Sequence, residues 1–255
     1  MRHICYSNKK KSEGKGAYIS NCYYSEIGSR AENEDTIKIK IYGDNMVAVV
    51  ADGLGGQGDG KEASEVVCDS LIQCGENGIF PESEDVRKAF EKANSCLLKR
   101  QRNMFHMKST AVYLCIHGNR VIWGHIGDTR LYHLYKDKIV DFTLDHSSSQ
   151  LAVFLGEISR EQIPQDSGRN RLLRALGIEG DEPDVHEPLW LKEGVHAFLL
   201  CTDGLWEHLT DRDIENVFAA SSEPKSFVQA VRSIKDGVGA DDYDNNSAVV
   251  VYVQV

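Results

Sequence analysis

Several functional classes are closed by what the sequence does not contain. Among seven cysteines in 255 residues there is no Cys-x-x-Cys pair, which removes a zinc ribbon and a thioredoxin-type redox motif. Basic residues are in the minority, 29 Lys+Arg against 39 Asp+Glu. The resulting formal charge of -10 excludes the basic surface that a nucleic-acid footprint needs. No apolar run reaches the length of a membrane span, and the opening "MRHICYSNKKKSEGKG" lacks the hydrophobic stretch of a signal peptide. Repeats, low-complexity tracts and a convincing linker are also missing. What remains is a cytoplasmic globular chain with reduced thiols, expected to form a single domain over 1–255 with residues 1–16 as a solvated N-terminal arm.

What is present is mostly alternation. In "TIKIKIY" (36–42) isoleucines alternate with lysines, which predicts a strand with one buried face. Further strands are expected at 17–24, 46–51, 109–116, 120–126, 130–135, 184–190, 196–202 and in the C-terminal "SAVVVYVQV". Short turns separate many of them, the mark of antiparallel sheets. Apolar residues at helical spacing predict helices over 61–74 and 84–104. Thr210 and Asp213 form a capping-box signature for a third helix, and a fourth starts near Pro224. The segment 145–177 reads as short helices and loop, with Ser159 and Gln162 as another cap pair. Together these elements predict an α+β fold in which sheet packs on sheet under a cover of helices.

The chemistry gathers at aspartates. "MVAVVADGLGG" (46–56) and "HAFLLCTDGLW" (196–206) are apolar runs that both stop at Asp-Gly. Either dipeptide alone reads as a tight turn. However, Asp35, Asp128 and Asp244 share the placement of Asp52 and Asp203, each at the end of a segment destined for the core. Strand ends on one edge of a sheet lie close in space, and carboxylates gathered there repel one another unless a cation holds them. Ligation by Asp and a backbone carbonyl suits Mg²⁺ or Mn²⁺ rather than zinc. Gly53, Gly55 and Gly56 leave room for such a carbonyl. Arg30 is the candidate to grip an anionic substrate, and a surface salt bridge is its alternative reading.

The motifs "RAENED" (30–35), "ADGLGG" (51–56), "STAV" (109–112), "GDTR" (127–130), "DHS" (145–147), "RALG" (174–177), "LLCTDGLW" (199–206) and "DNNSAVVV" (244–251) follow one another in this order. Their order resembles the metal-dependent protein serine/threonine phosphatases of type 2C, the PPM family, and its compact bacterial members in particular. The resemblance implies a four-layer α-β-β-α sandwich of two antiparallel sheets with a binuclear Mn²⁺ or Mg²⁺ centre at one end. It implies that Asp52 bridges both ions, that the Gly53 carbonyl binds one of them, and that Asp203 and Asp244 complete the other. Glu34 and Asp35 would act mainly through metal-bound water, Arg30 would hold the substrate phosphate, and Asn245 would support the site from behind. Asp128, with Asp203, matches the place where some bacterial relatives bind a third, looser ion. The implied reaction is direct attack on phosphoserine or phosphothreonine by a hydroxide bridging the two ions. The implied partners are phosphorylated proteins, substrates of a serine/threonine kinase, met by a monomer. Residues 145–177 match the family's flap.

There are departures from the family pattern. Leu54 stands where many eukaryotic members have a histidine, so no general acid is assigned. Lys108 replaces a usual glycine, and Asn246 a usual apolar residue. Several decoys fall away. "GGQGDGKE" (55–62) ends in Glu62 where a phosphate loop needs Ser or Thr. Cys96 and Arg102 have the spacing of cysteine phosphatases without the loop that lowers a thiol pKa. His117, His125 and His133 read as packed strand residues rather than ligands, and "DDYDNN" (241–246) lacks the terminal glutamate of an EF-hand. Two other classes stay open, a phosphoprotein binder without turnover and a metal-dependent hydrolase of small phosphoesters or a cyclic nucleotide.

Overall fold

Strand Asn45–Ala51, "NMVAVVA", is buried at every position, because it runs through the middle of a sheet covered on both faces. Val47, Val49 and Ala51 point to one core, and Met46, Ala48 and Val50 to another. The same division recurs in Asn246–Gln254, where Val249, Val251 and Val253 share the second core, whereas Ala248, Val250 and Tyr252 enter a third. Period-2 side chains thus define three apolar layers, and three such layers lie between four layers of secondary structure.

This architecture comes from a computed structural model that describes residues 17–55, 59–101, 107–237 and 243–255, with the backbone of Lys10–Lys11. One sheet runs Lys10–Lys11, Tyr18–Glu26, Asn246–Gln254, Val195–Cys201, Arg130–Tyr135, Lys138–Phe142. The other runs Asp184–Val185, Arg120–Ile126, Ala111–His117, Asn45–Ala51, Thr36–Tyr42, with Leu189–Trp190 also paired to Arg120–Ile126. All pairings are antiparallel. Helices Asp59–Leu71 and Ser83–Arg100 cover the outer face of the second sheet through Val67, Leu71, Val86 and Phe90. Helices Asp211–Ala220 and Pro224–Gly237 cover the first through Ile214, Phe218, Phe227 and Val231. The expected α-β-β-α sandwich is present. Each fully buried Val, Leu, Ile or Phe in these layers contributes about 1.5–3 kcal/mol by leaving water.

Local signals explain where elements start. Thr210 Oγ1 accepts from Asp213 N–H at 3.1 Å while Asp213 Oδ2 accepts from Thr210 N–H at 2.9 Å. Gln162 Oε1 accepts from Ser159 N–H at 2.7 Å ahead of the 3₁₀ turn Arg160–Gln165. The expected strand 184–190 divides into two short pieces, because the chain detaches from its neighbour at Glu187 and Pro188. Cys74 lies in the turn after its helix rather than on it. The N-terminal arm apart from Lys10–Lys11, Gly56, Arg102 and residues 241–242 lie outside the described residues.

Register decides what meets at the sandwich's end. Thr36 pairs with Ala51, Ala111 with Ile126, Cys201 with Arg130, and Asn246 with Glu26. Residues just outside these pairs therefore leave the two sheets at one common end. They include Asp35, Asp52, Asp128, Asp203 and Asp244.

Candidate active site

Neither Asp-Gly is a hairpin turn. Asp52-Gly53 continues into a two-residue strand, Gly53–Leu54, paired with Lys108–Ser109, and Asp203-Gly204 opens the short helix Asp203–Trp206. The glycines are required by close approach. A Cβ on Gly53 would lie 1.9 Å from the Gly60 carbonyl oxygen, and one on Gly204 would lie 2.2 Å from that of Asn245. Both glycines let a second segment of backbone press against the strand end, which fixes the preceding carboxylate. Asp52 is held further by its own backbone. Its carbonyl accepts from Thr110 N–H at 2.9 Å and from Ser109 Oγ at 2.8 Å, and its N–H donates to Thr110 Oγ1 at 3.3 Å.

A cleft of about 800 Å³ opens where these ends converge. Its walls include Arg30, Glu34, Asp52, Gly53, Asp128, Asp203, Asp244 and Asn245, eight of the nine residues singled out in the sequence. Asp35 does not line it. Its carboxylate is buried directly behind, where Oδ2 accepts from Thr202 Oγ1 at 2.9 Å and Oδ1 has no hydrogen-bond partner. Asn245 ties the site together by donating to the carbonyls of Ile27 (2.7 Å) and Glu32 (2.9 Å) and accepting from Glu34 N–H (2.8 Å). Arg30 closes on Asp244 at 2.6 Å, joining two loops far apart in sequence.

The electrostatics are those of crowded anions. Burial, then the charges of Asp203, Asp35, Asp128 and Asp244, pushes the Asp52 carboxyl well above its ordinary range. Asp203 is raised by burial and then by Asp128, Glu207, Asp244 and Asp35. Burial pushes Asp35 up to about 7 against the pull of nearby hydroxyls, and Asp128 up to about 7 with Asp145 adding to it. Glu34 is also raised, by burial and by Glu32 and Asp244. Without a counter-charge, burial and mutual repulsion disfavour the ionised form of each of these carboxyls. An all-oxygen donor set, a buried carboxylate oxygen with no partner and mutual repulsion fit divalent cations of the Mg²⁺ or Mn²⁺ type.

Comparison with known proteins agrees with this geometry. Residues 24–238 match the family model described as protein phosphatase 2C. The chain belongs to the protein phosphatase 2C family. Membership makes it, by class, a serine/threonine protein phosphatase of the PPM type. It is 29% identical over 222 residues to the serine/threonine phosphatase stp of Listeria welshimeri, covering 84% of this chain and 88% of that protein. It is 27% identical over 230 residues to the serine/threonine protein phosphatase PstP of Mycobacterium tuberculosis, and spans only 43% of that longer protein. The crystal structure of the M. tuberculosis phosphatase PstP/Ppp superposes with a TM-score of 0.80 at 25% identity, over 92% of this chain and 98% of the other. A PstP catalytic domain in complex with two manganese ions shares the fold, with a TM-score of 0.78 at 24% identity over 94% and 100% of the two chains.

In this phosphatase Asn170 and Leu172 of the 145–177 segment also line the cleft, as do Glu32 and Leu54. From the sequence, Leu54 and the 145–177 segment as a whole were singled out, but not Glu32, Asn170 or Leu172 individually, nor Thr202 and Gly60. The signal for Gly60 was a glycine in the first turn of a helix, where a Cβ would fall 2.5 Å from the Glu34 carboxylate. Of the histidines set aside as packed residues, His117 pairs with Asn45 at 2.8 Å, and His125 and His133 are buried.

Proposed function

We propose that this chain hydrolyses phosphoserine and phosphothreonine esters of proteins, with two divalent ions, Mn²⁺ or Mg²⁺, held in the cleft. Asp52, the Gly53 carbonyl, Asp203 and Asp244 would hold them, with Asp35 and Glu34 behind the water shell and Asp128 with Asp203 at a third, weaker position. The convergence of four aspartates and Arg30 on one cleft, backed by a buried carboxylate with an unpartnered oxygen, is the observation that supports this reading. The ions, once bound, would supply a water of lowered pKa as nucleophile and positive charge beside the phosphoryl oxygens.

The chain's own residues do the rest. Arg30 offers a planar fork for two phosphate oxygens, beside its contact with Asp244 through Nη2. Asn245 keeps the Arg30 loop against the segment that carries Asp244 into strand Asn246–Gln254, so the phosphate and the carboxylates stay in register. Leu54, paired across the short ladder with Lys108, lines the cleft and has no proton to give a departing alkoxide. The acidic cleft, with Asn170 and Leu172 in its wall, has room for a phosphorylated side chain and part of the peptide that carries it. The manganese in the related PstP domain supports the choice of metal. We further read 1–255 as one phosphatase domain, a cytoplasmic monomer opposing a serine/threonine kinase.

Phosphopeptide libraries carrying phospho-Ser, phospho-Thr or phospho-Tyr, assayed with and without Mn²⁺, test the proposal. Release of phosphate from the first two, dependent on Mn²⁺ or Mg²⁺, is expected. Binding without turnover, or turnover of small aryl or cyclic phosphates alone, would contradict it.

A further inference from the structure

One aspartate of the cleft is placed by a histidine that the proposed chemistry does not use. Asp128 lies between strands Arg120–Ile126 and Arg130–Tyr135, preceded by Gly127 at φ 91°. A side chain cannot replace that glycine, because a Cβ would fall 2.4 Å from Thr110 Cγ2. His146 clasps the same glycine twice. Its N–H donates to the Gly127 carbonyl at 2.9 Å, and its Nδ1 accepts from Gly127 N–H at 3.1 Å. An accepting Nδ1 makes the ring the Nε2–H tautomer. That proton points to Asp184, with Nε2 to Oδ2 at 3.1 Å. Arg174 grips the same carboxylate through Nη1 to Oδ1 at 2.8 Å and Nη2 to Oδ2 at 3.3 Å. The His146 ring is buried and stacks on His125, with centroids 4.6 Å apart, and His125 Nε2 is bonded to the Leu144 carbonyl at 2.8 Å.

His125, His146 and Asp184 have the donor types of a zinc site, with ligand atoms within 4.8 Å of one another. The hydrogen bonds favour another reading. His146 Nδ1 is occupied by the Gly127 amide, its Nε2 proton lies toward Asp184, and Arg174 already neutralises that carboxylate. A cation would have to displace a proton and sit beside a guanidinium. A carboxylate that sets the tautomer of a histidine, which in turn orients a neighbour, is the arrangement found behind metal ligands. Here its output is the Gly127–Asp128 turn, whose other anchor is Trp206 Nε1 donating to the Asp128 carbonyl at 2.9 Å.

We propose that His146 is a positioning residue for Asp128. Through Nδ1 it holds the turn in the orientation that lets Asp128 act with Asp203 on a weakly held divalent cation, and Asp184 with Arg174 keeps that nitrogen an acceptor. The proposal rests on the metal-dependent reading above.

Substitutions separate the two ring nitrogens. Asn offers an acceptor where Nδ1 stands, Gln offers one nearer Nε2, and Ala offers neither. In the full chain, His146→Asn should keep the wild-type Mn²⁺ dependence. His146→Gln and His146→Ala should each weaken the loosest phase of Mn²⁺ binding, read by titration calorimetry, by roughly ten-fold. The Mn²⁺ concentration for half-maximal activity should rise in parallel. Asp128→Asn should show the same loss, and adding His146→Ala to it should weaken binding no further. Nitrogen-15 spectra should show His146 as the neutral Nε2–H tautomer. Should the Ala variant fail to fold, the contrast between Asn and Gln carries the test. Unchanged isotherms for Gln and Ala in a protein whose wild type binds Mn²⁺, or additive losses with Asp128→Asn, would overturn the positioning role alone. No Mn²⁺ binding by wild type would overturn the underlying reading with it.

Discussion

The Asp203 carboxyl is held well above its ordinary range in the metal-free fold, for reasons that reverse when a cation arrives. Burial and the charges of its neighbours raise its pKa, and the same causes act on Asp52, Asp35 and Asp128. A carboxyl raised on folding stabilises the fold fully below its ordinary pKa, and that contribution is lost as pH rises through the folded value. For Asp35 and Asp128 the window runs from the ordinary 3.8 to about 7. Asp203→Asn removes one repelling charge. It should therefore raise the melting temperature of the metal-free protein near pH 8 by about 2–4 °C per kcal/mol gained, and do little near pH 4. The same variant should lose the rise that saturating Mn²⁺ gives wild type. Thermal melts at both pH values, with and without Mn²⁺, check this, and an equal Mn²⁺ response in the variant would count against the cluster. Arg30 is the other residue whose role is sharp. Arg30→Ala should raise KM for a phosphopeptide by roughly ten-fold with a smaller change in kcat, measured by steady-state kinetics. Unchanged parameters would return Arg30 to a simple ion pair with Asp244.

The elements that hold these residues were read from sequence to different depths. Two long strands were legible for different reasons. Thr36–Tyr42 alternates because Ile37 and Ile39 pack on the inter-sheet core while lysines occupy the other face. Val195–Cys201 is a nearly continuous apolar run because its two faces meet different core layers. The Thr210–Asp213 and Ser159–Gln162 caps were legible because their chemistry is local. The ladder between Gly53–Leu54 and Lys108–Ser109, and the short strand Lys138–Phe142, were not, since two to five residues carry little periodicity and their partners are distant. The cleft itself was legible as a set of aspartates and illegible as a contact map. Asp35 shows why, for nothing in "RAENED" says that its carboxylate turns inward to Thr202 instead of facing the cleft. Asn245 is the element-level test. Its side chain makes three hydrogen bonds that clip the 27–34 loop to the strand Asn246–Gln254. Asn245→Ala leaves partly buried backbone groups unpaired, at about 1–3 kcal/mol for each one that water cannot reach. It should lower both the melting temperature and Mn²⁺-dependent turnover, and a variant with full activity and stability would refute the clip.

Across the whole molecule the inter-sheet layer contains an uncommon polar pair. His133 Nε2 lies 2.9 Å from His196 Nδ1, and the His133 ring stacks on Phe198 and meets Trp123 edge-on. Burial, then the nearby His196, lowers the His133 pKa to about 3, with Asp141 opposing and His186 adding. A histidine lowered on folding supports the fold above its ordinary 6.5, and that support is lost as pH falls toward the folded value. His133→Phe keeps an aromatic ring against Phe198 and removes the titration. The difference in melting temperature between variant and wild type should therefore grow in the variant's favour from pH 7 to about 5. A constant difference would show that the pair does not couple the two sheets to pH. The register that brings strand ends to a common edge is the larger feature, because it is what gathers carboxylates from 35 to 244 into one cleft.

The most direct measurement is a crystal structure with Mn²⁺, with the ions located by their anomalous scattering. Density for two ions touching Asp52, Asp203 and Asp244 is the result expected here. A crystal bathed in Mn²⁺ whose cleft shows no such density, with those three side chains bound only to protein or water, would contradict the account.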